Sequence, residues 1–243
     1  MPPARKKAAA SGRRRSAHAL AGVDRPAVLL LAAWMVYRLY PYAPTLDVSK
    51  YWPAIRPILL DPLPHGSDPF RLCLLWLLCC MLVEATVGAA RTVRLFPLFA
   101  GVIIAARVVI ADTVLSSADV AGACVAYVLW LLLFRRAPAR YAILAVFFAL
   151  MLAALHLASP HALGWIALLD RAFLYGGLIW LLNRAGLRLS FATLATALLV
   201  FITALAATHG QFRAGEVTDL ALALGAGALF YATSFSLPRL SRP

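Results

Sequence analysis

The chain has 243 residues, with 23 Lys and Arg against 10 Asp and Glu and a formal net charge of +13, yet 63% of it is apolar and only 14% charged, and its mean hydropathy is +0.83. A soluble domain keeps about a quarter of its residues charged, so this composition excludes a secreted or cytosolic enzyme and describes a chain that lives in a membrane. The surplus of cations does not point to nucleic acid, because the charges fall between long apolar runs and report topology instead.

Residues 1–25 carry Arg5, Lys6, Lys7, Arg13, Arg14, Arg15 and Arg25 among Ala, Ser and Gly. This predicts a disordered polybasic tail on the cytoplasmic side, where each cation near anionic headgroups adds about 1 kcal/mol of attraction. A secretory signal peptide is the rival reading, but the apolar stretch from Ala27 runs into Trp34, Tyr37 and Arg38 without a small-residue cleavage site. Residues 26–238 form the transmembrane bundle. Apolar windows of a length that crosses a bilayer, about 17 to 25 residues, recur at 26–42, 70–90, 95–111, 117–134, 141–158, 163–183, 190–208 and 219–236. They predict an all-α, polytopic helix bundle of about eight spans.

Lys and Arg near span ends are retained on the cytoplasmic side, and they alternate here. With the tail inside, Arg91 and Arg94, then Arg135, Arg136 and Arg140, then Arg184 and Arg188, fall in cytoplasmic turns, and residues 239–243 form a cytoplasmic C-terminus with Arg239 and Arg242. That places 16 of the 23 cations inside. Arg38, Lys50, Arg56, Arg71 and Arg213 fall outside, and Arg107 and Arg171 lie within spans. The acids Asp47, Asp61, Asp68, Asp112, Asp119, Glu216 and Asp219 gather toward the outer face. Acids contribute little to topology, so a polar site opening outward is the natural reading of that gathering, with a solvated loop surface as the alternative for Asp61 and Asp68. Between the first two spans, residues 43–68 include an apolar stripe of Val48, Tyr51, Trp52, Ile55, Ile58 and Leu59 at helical spacing. This predicts an amphipathic segment lying on the outer leaflet, interrupted at Pro53 and Pro57.

A charge at mid-bilayer costs about 2.5–3.5 kcal/mol on insertion, so ionisable residues inside spans usually face protein or water and mark function. The candidates are Glu84 in the second span, Arg107 in the third, Asp170 and Arg171 in the sixth, and His156 and His209 near the outer ends of the fifth and seventh. Glu84 is expected to pair with Arg91 or Arg94. Adjacent helical residues point to different faces, so Asp170 and Arg171 each need a partner, with His156 and Glu84 as candidates. Arg107, Asp112 and Asp119 in one half and Arg213, Glu216 and Asp219 in the other bring acid and base to one depth, although Asp119 and Asp219 also suit helix caps. Aligning Asp119 with Asp219, 100 residues apart, aligns the second to fourth spans with the sixth to eighth and suggests a repeat of three-helix units. Gly225 and Gly227 in the eighth span suit close helix packing. No Cys-x-x-Cys pair or His at ligand spacing accompanies Cys73, Cys79, Cys80 and Cys124, so four buried reduced thiols, no metal and no cofactor are expected.

The stretch GQFRAGEVTDLALALGAGALFY, together with the short spans, resembles the VanZ-like family of bacterial membrane proteins, many of which end in a helix opened by Asp after an Arg-containing turn. The segment YRLYPYAPTLDVSKYWPAIRPIL is similar to a Tyr/Pro-rich stretch in some members. The matched positions are Arg213, Asp219, Gly225 and Gly227, with Arg107 and Asp119 as weaker counterparts in the other half. Much of the family also has a Glu and a Gln in the preceding helix and an Asn one turn after the Asp; here VFITALAATHG lacks the first two and Ala223 stands at the third place. The resemblance implies a multi-pass protein of the bacterial cytoplasmic membrane and cell envelope, in a family named for low-level resistance to the glycopeptide teicoplanin.

Three functions are consistent with these residues. The first is binding of a membrane lipid or lipid-linked envelope precursor at the outer leaflet through Arg107, Asp112, Asp119, Arg213, Glu216 and Asp219, because the guanidinium fork suits phosphate. The second is an integral-membrane enzyme acting on such a precursor with Asp119, Asp219 or Glu216 as acid or base, although no catalytic motif of recognised type is present. The third is a small transporter component that uses the intramembrane charges Glu84, Asp170 and Arg171.

Overall fold

The computed structural model describes residues 24–42, 51–52, 56, 68–110, 116–158, 165–207 and 214–235. Most of the expected tail, most of the 43–68 segment and the expected cytoplasmic C-terminus lie outside these residues. The described chain is an all-α bundle of eight helices: α1 (Arg25–Arg38), α2 (Asp68–Val87), α3 (Ala89–Val109), α4 (Ser117–Phe134), α5 (Arg140–Ala158), α6 (Trp165–Arg184), α7 (Leu189–Ala207) and α8 (Ala214–Phe235). Six of them, α2 to α7, are long and apolar enough to cross a membrane. The first is shorter than its apolar window: at 14 residues and 1.5 Å per residue, it spans about 21 Å.

Local chemistry sets the helix ends. Asp24 caps α1, its carboxylate accepting from the Ala27 N–H, and Pro26 follows in the first turn where a missing N–H costs nothing. The Ser116 hydroxyl caps α4 by accepting from Ala118. The corresponding helices α2 and α6 both end on a glycine in the left-handed region, Gly88 at φ +85° and Gly186 at φ +109°. At Gly186 the Leu187 N–H reaches back to the Leu182 carbonyl and the Gly186 N–H to Asn183, both at 3.1 Å, the paired bonds of a Schellman close. At Gly88 a single bond from its N–H to the Glu84 carbonyl, 2.8 Å, does the same work. Inside α3, Pro97 has no N–H to offer the Val93 carbonyl; the Tyr127 hydroxyl of α4 donates to that carbonyl instead at 2.6 Å.

Two helices form the centre. Every residue from Leu74 to Glu84 of α2 and from Phe173 to Leu181 of α6 is buried, as expected for helices apolar all round. Of the apolar window of α2, 61% is buried, against 22% for α3, which places α3 at the periphery. α1 packs on both α2 and α6, and α5 packs on α6 and touches α2, so α1, α2, α5 and α6 form a ring with α2 and α6 across from each other. α3 and α4 flank α2 on its outer side, and α7 and α8 flank α6. The core is rich in aromatic contacts: Trp34 of α1 sits edge-on to Trp76 of α2 at 4.8 Å, and Phe96, Tyr127 and Trp130 stack in sequence at 5.7 and 6.2 Å.

The last turn of α4, Trp130–Phe134, is wound as a π turn that closes with the Arg135 N–H on the Trp130 carbonyl at 2.8 Å. Gly227 has the expected packing role, since a Cβ there would fall 2.3 Å from Thr193 Cγ2 of α7, whereas Gly225 faces open space. The expectation of four buried thiols is corrected in part. Cys79 and Cys80 are buried in α2, Cys73 is half-buried and Cys124 is exposed on α4, because their α4 and α2 faces differ in what packs against them.

Candidate functional site

The charged side chains fall at the two ends of the bundle, and the residues that meet there define its topology. The C-terminal ends of α1, α3 and α5 meet the N-terminal ends of α2, α4, α6 and α8 at one end, which carries Asp119 and Asp219. The N-terminal ends of α1 and α5 meet the C-terminal ends of α2, α4 and α6 at the other. Successive helices therefore alternate in direction, which is what the charge pattern of the loops predicts.

At the first end, Asp119 in the first turn of α4 and Asp219 in the second turn of α8 are only 2% and 1% exposed. Neither serves as a simple cap. The Asp119 carboxylate is held by Arg38 from the end of α1 and Arg107 from the end of α3. Asp219 accepts from Arg171 Nη1 of α6 at 2.7 Å and lies 3.6 Å from His156 Nε2 of α5. His156 is oriented by its own helix. Its Nδ1 lies 2.9 Å from the Leu152 carbonyl and so carries the proton, which leaves Nε2, 3.0 Å from the Tyr175 hydroxyl, as the acceptor in the neutral ring. Between the two carboxylates, Arg71 Nη2 of α2 donates to Asp170 Oδ2 of α6 at 2.6 Å, across the central ring. Among the described residues, four arginines thus surround three aspartates. The Nε of Arg38 and of Arg71 are among the buried polar atoms of the cluster that have no hydrogen-bond partner among the described residues.

At the second end two smaller constellations repeat one plan. Arg140, opening α5, donates to Glu84 near the end of α2 at 2.8 and 3.1 Å, and the Trp130 indole N–H donates to the same carboxylate at 2.8 Å. Asp24, opening α1, accepts from Arg184 at the end of α6 and from the Trp180 indole N–H at 2.9 Å. In each, the first helix of one half is tied to the second helix of the other half, with a tryptophan donor assisting. The signs are exchanged.

These contacts revise several expectations. Glu84 does not pair with Arg91 or Arg94. The fold turns it toward α4 and α5, where Arg140 starts a helix packed against α2. Asp170 and Arg171 do take separate partners, but these are Arg71 and Asp219. Arg107 and Asp119 come together as expected. Asp112, Arg213 and His209 lie outside the described residues, and only the backbone of Glu216 is described. Arg38 and Arg71, read from sequence as outer-side charges, proved to be members of the cluster. A pattern marks both: Ala27, Leu30 and Trp34 are the buried stripe of α1 and Arg38 is its next position, while Arg71 stands one turn before Leu74, Leu75 and Leu78. Among the described residues no group of three His, Cys, Asp or Glu is placed to hold a metal ion.

Eight alternating apolar helices with buried ion pairs at their ends define a multi-pass membrane protein. No family model, curated protein or solved structure matches the chain, so the function is argued from this geometry.

Proposed function

We propose that the protein binds an anionic ligand of the membrane, a lipid headgroup or a lipid-linked envelope precursor, at the end that carries Asp119 and Asp219. The observation that carries this reading is the gathering of Arg38, Arg71, Arg107 and Arg171 on three aspartates, with the Nε of Arg38 and of Arg71 buried and without a partner among the described residues. A buried donor left unpaired costs about 1–3 kcal/mol, and a phosphate oxygen would recover that cost in a bidentate contact. The loop charges support the same end as the outer face of a bacterial cytoplasmic membrane. Membership of the VanZ-like family, with its place in the cell envelope and its link to glycopeptide resistance, belongs to this proposal and rests on the stretch around Asp219.

Native mass spectrometry of the protein in mild detergent, supplied with a polyprenyl phosphate, tests the binding site. Wild type should retain one molecule, and Arg71→Gln combined with Asp170→Asn, which removes both charges of the cross-ring pair and leaves no orphan, should lose it while the protein stays folded. Equal retention by both would sink the proposal. A second reading, acid–base chemistry on the same ligand, is favoured by one observation, the chain Tyr175–His156–Asp219. In this reading His156 is the proton carrier, and His156→Gln should abolish turnover of the precursor without releasing it.

A further inference from the structure

The bundle has two notches built on the same plan, each walled by the second and fourth helices of one half and the first helix of the other. Between α6, α8 and α1 the notch is small, about 230 Å³, and apolar throughout, with Leu29, Phe173, Leu222 and Leu229 among its lining. Between α2, α4 and α5 it opens to about 990 Å³. Its floor is α2, from Phe70 through Cys73 and Leu77. Gly122 lets α4 come down onto that floor, since a Cβ there would stand 3.2 Å from the backbone nitrogen of Cys73. The rim residues Leu132, Leu133 and Phe147 are exposed, 72%, 58% and 45%.

The notch is apolar along its length and has one charged lining residue, Arg136, at the Glu84 end beside Ala137 and the start of α5. The neighbouring cations are already engaged: Arg140 holds Glu84, and Arg135 lies over the Trp130 ring at 6.0 Å. Arg136 has no hydrogen-bond or ion-pair partner among the described residues. Arginine with a free fork beside a helix N-terminus suits a phosphodiester, and the long apolar trough that leads away from it suits an acyl chain. A second copy of the chain fits less well, because the helix ends it would bring to this level carry Arg91, Arg94 and Arg188, cation against cation.

We propose that the notch between α4 and α5 is a binding site for an anionic glycerophospholipid of the leaflet at the Glu84 end, with its phosphate on Arg136 and one acyl chain laid along α2 toward Phe70. This site is separate from the cluster around Asp119 and does not depend on the function assigned to that cluster. Protein taken from nanodiscs of phosphatidylglycerol and phosphatidylcholine in equal parts should retain one phosphatidylglycerol by native mass spectrometry. Arg136→Gln should lower that retention about tenfold, as expected when a contact worth 1.4 kcal/mol is lost. Leu133→Trp, which fills the trough from its exposed rim, should remove either lipid. Arg188→Gln, at another turn of the same end, should leave retention unchanged. Phosphatidylglycerol held equally by wild type and Arg136→Gln overturns the site, and so does phosphatidylcholine held as well as phosphatidylglycerol. A dimer broken by Leu133→Trp would assign the notch to a second copy and overturn it equally. Should Leu133→Trp fail to fold, the surface variant Arg136→Gln still decides.

Discussion

The half built from α1 to α4 and the half built from α5 to α8 share an order of helices, and the last three helices of each recur at a spacing near 100 residues, but the halves close differently. In the first, α4 lies chiefly on α2 and touches α3 little; in the second, α8 packs on both α6 and α7, with Gly227 pressed against Thr193. The same contrast appears among the charges. Arg71 and Arg171 stand 100 residues apart, yet Arg171 stays within its half on Asp219 while Arg71 crosses the ring to Asp170. The position equivalent to Asp170 in the first half is Phe70, so the crossing exists in one direction only. Glu84 and Arg184, also 100 residues apart, bind a partner of the opposite half with opposite signs. A repeat with identical charges would let each half pair with itself; exchanged signs make the two halves complementary, which is how charge specifies pairing between similar surfaces.

The largest effect should come from the aspartates. Asp119→Asn leaves two buried arginines without a counterion, and removing one member of a buried pair costs about 3–5 kcal/mol. Asp219→Asn leaves one arginine, Arg171, without its carboxylate where Asp119→Asn leaves two, so its loss should be smaller, about 1.5–3 kcal/mol. Melting temperatures of the two variants in one detergent measure the difference, and equal losses would mean that the two carboxylates are equivalent after all. Next comes the sign exchange. Glu84→Gln should cost about 1.5–3 kcal/mol through two charge-assisted donors, whereas Glu84→Arg with Arg140→Glu should recover most of that stability by inverting the pair. A double variant no more stable than Glu84→Arg alone would show that the Trp130 contact, and not complementarity between halves, is what matters. The smallest effect separates the two glycines of α8. Gly227→Ala should destabilise by about 1–3 kcal/mol through overpacking on Thr193, while Gly225→Ala should be neutral or gain up to about 1 kcal/mol of helix propensity. Two variants of equal stability would place α8 no closer to α7 than α4 is to α3.

Much of the architecture could be read from apolar length. The existence of eight helices, their alternation and the meeting of Arg107 with Asp119 at one end follow from window length and charge placement, because a bilayer leaves few alternatives for a backbone. Partners were harder to read. Nearness in sequence puts Glu84 with Arg91 or Arg94, but its partners Trp130 and Arg140 lie 46 and 56 residues away, on helices whose rotation depends on packing around α2. Arg38 and Arg71 were read from their places near span ends, although each continues a buried stripe of its helix. Helical phase carried the information that distance from the bilayer centre did not. The two notches were not legible at all, since their sizes follow from how far neighbouring helices splay, and no residue type records that.

The bond from Tyr127 to the Val93 carbonyl also bears on how the outer helices can move. α3 is the least buried of the long helices, and a peripheral helix of that kind would ordinarily be free to slide along its neighbour. Pro97 leaves it one backbone acceptor, which the Tyr127 hydroxyl of α4 satisfies, and a part-buried carbonyl that loses its donor costs about 1–3 kcal/mol. A shift by a single turn would carry the carbonyl about 5.4 Å away from the phenol. Swinging outward and rotating about that point remain open to α3, but axial slippage does not, so the tyrosine acts as a pin that fixes the depth of Arg107 beneath Asp119.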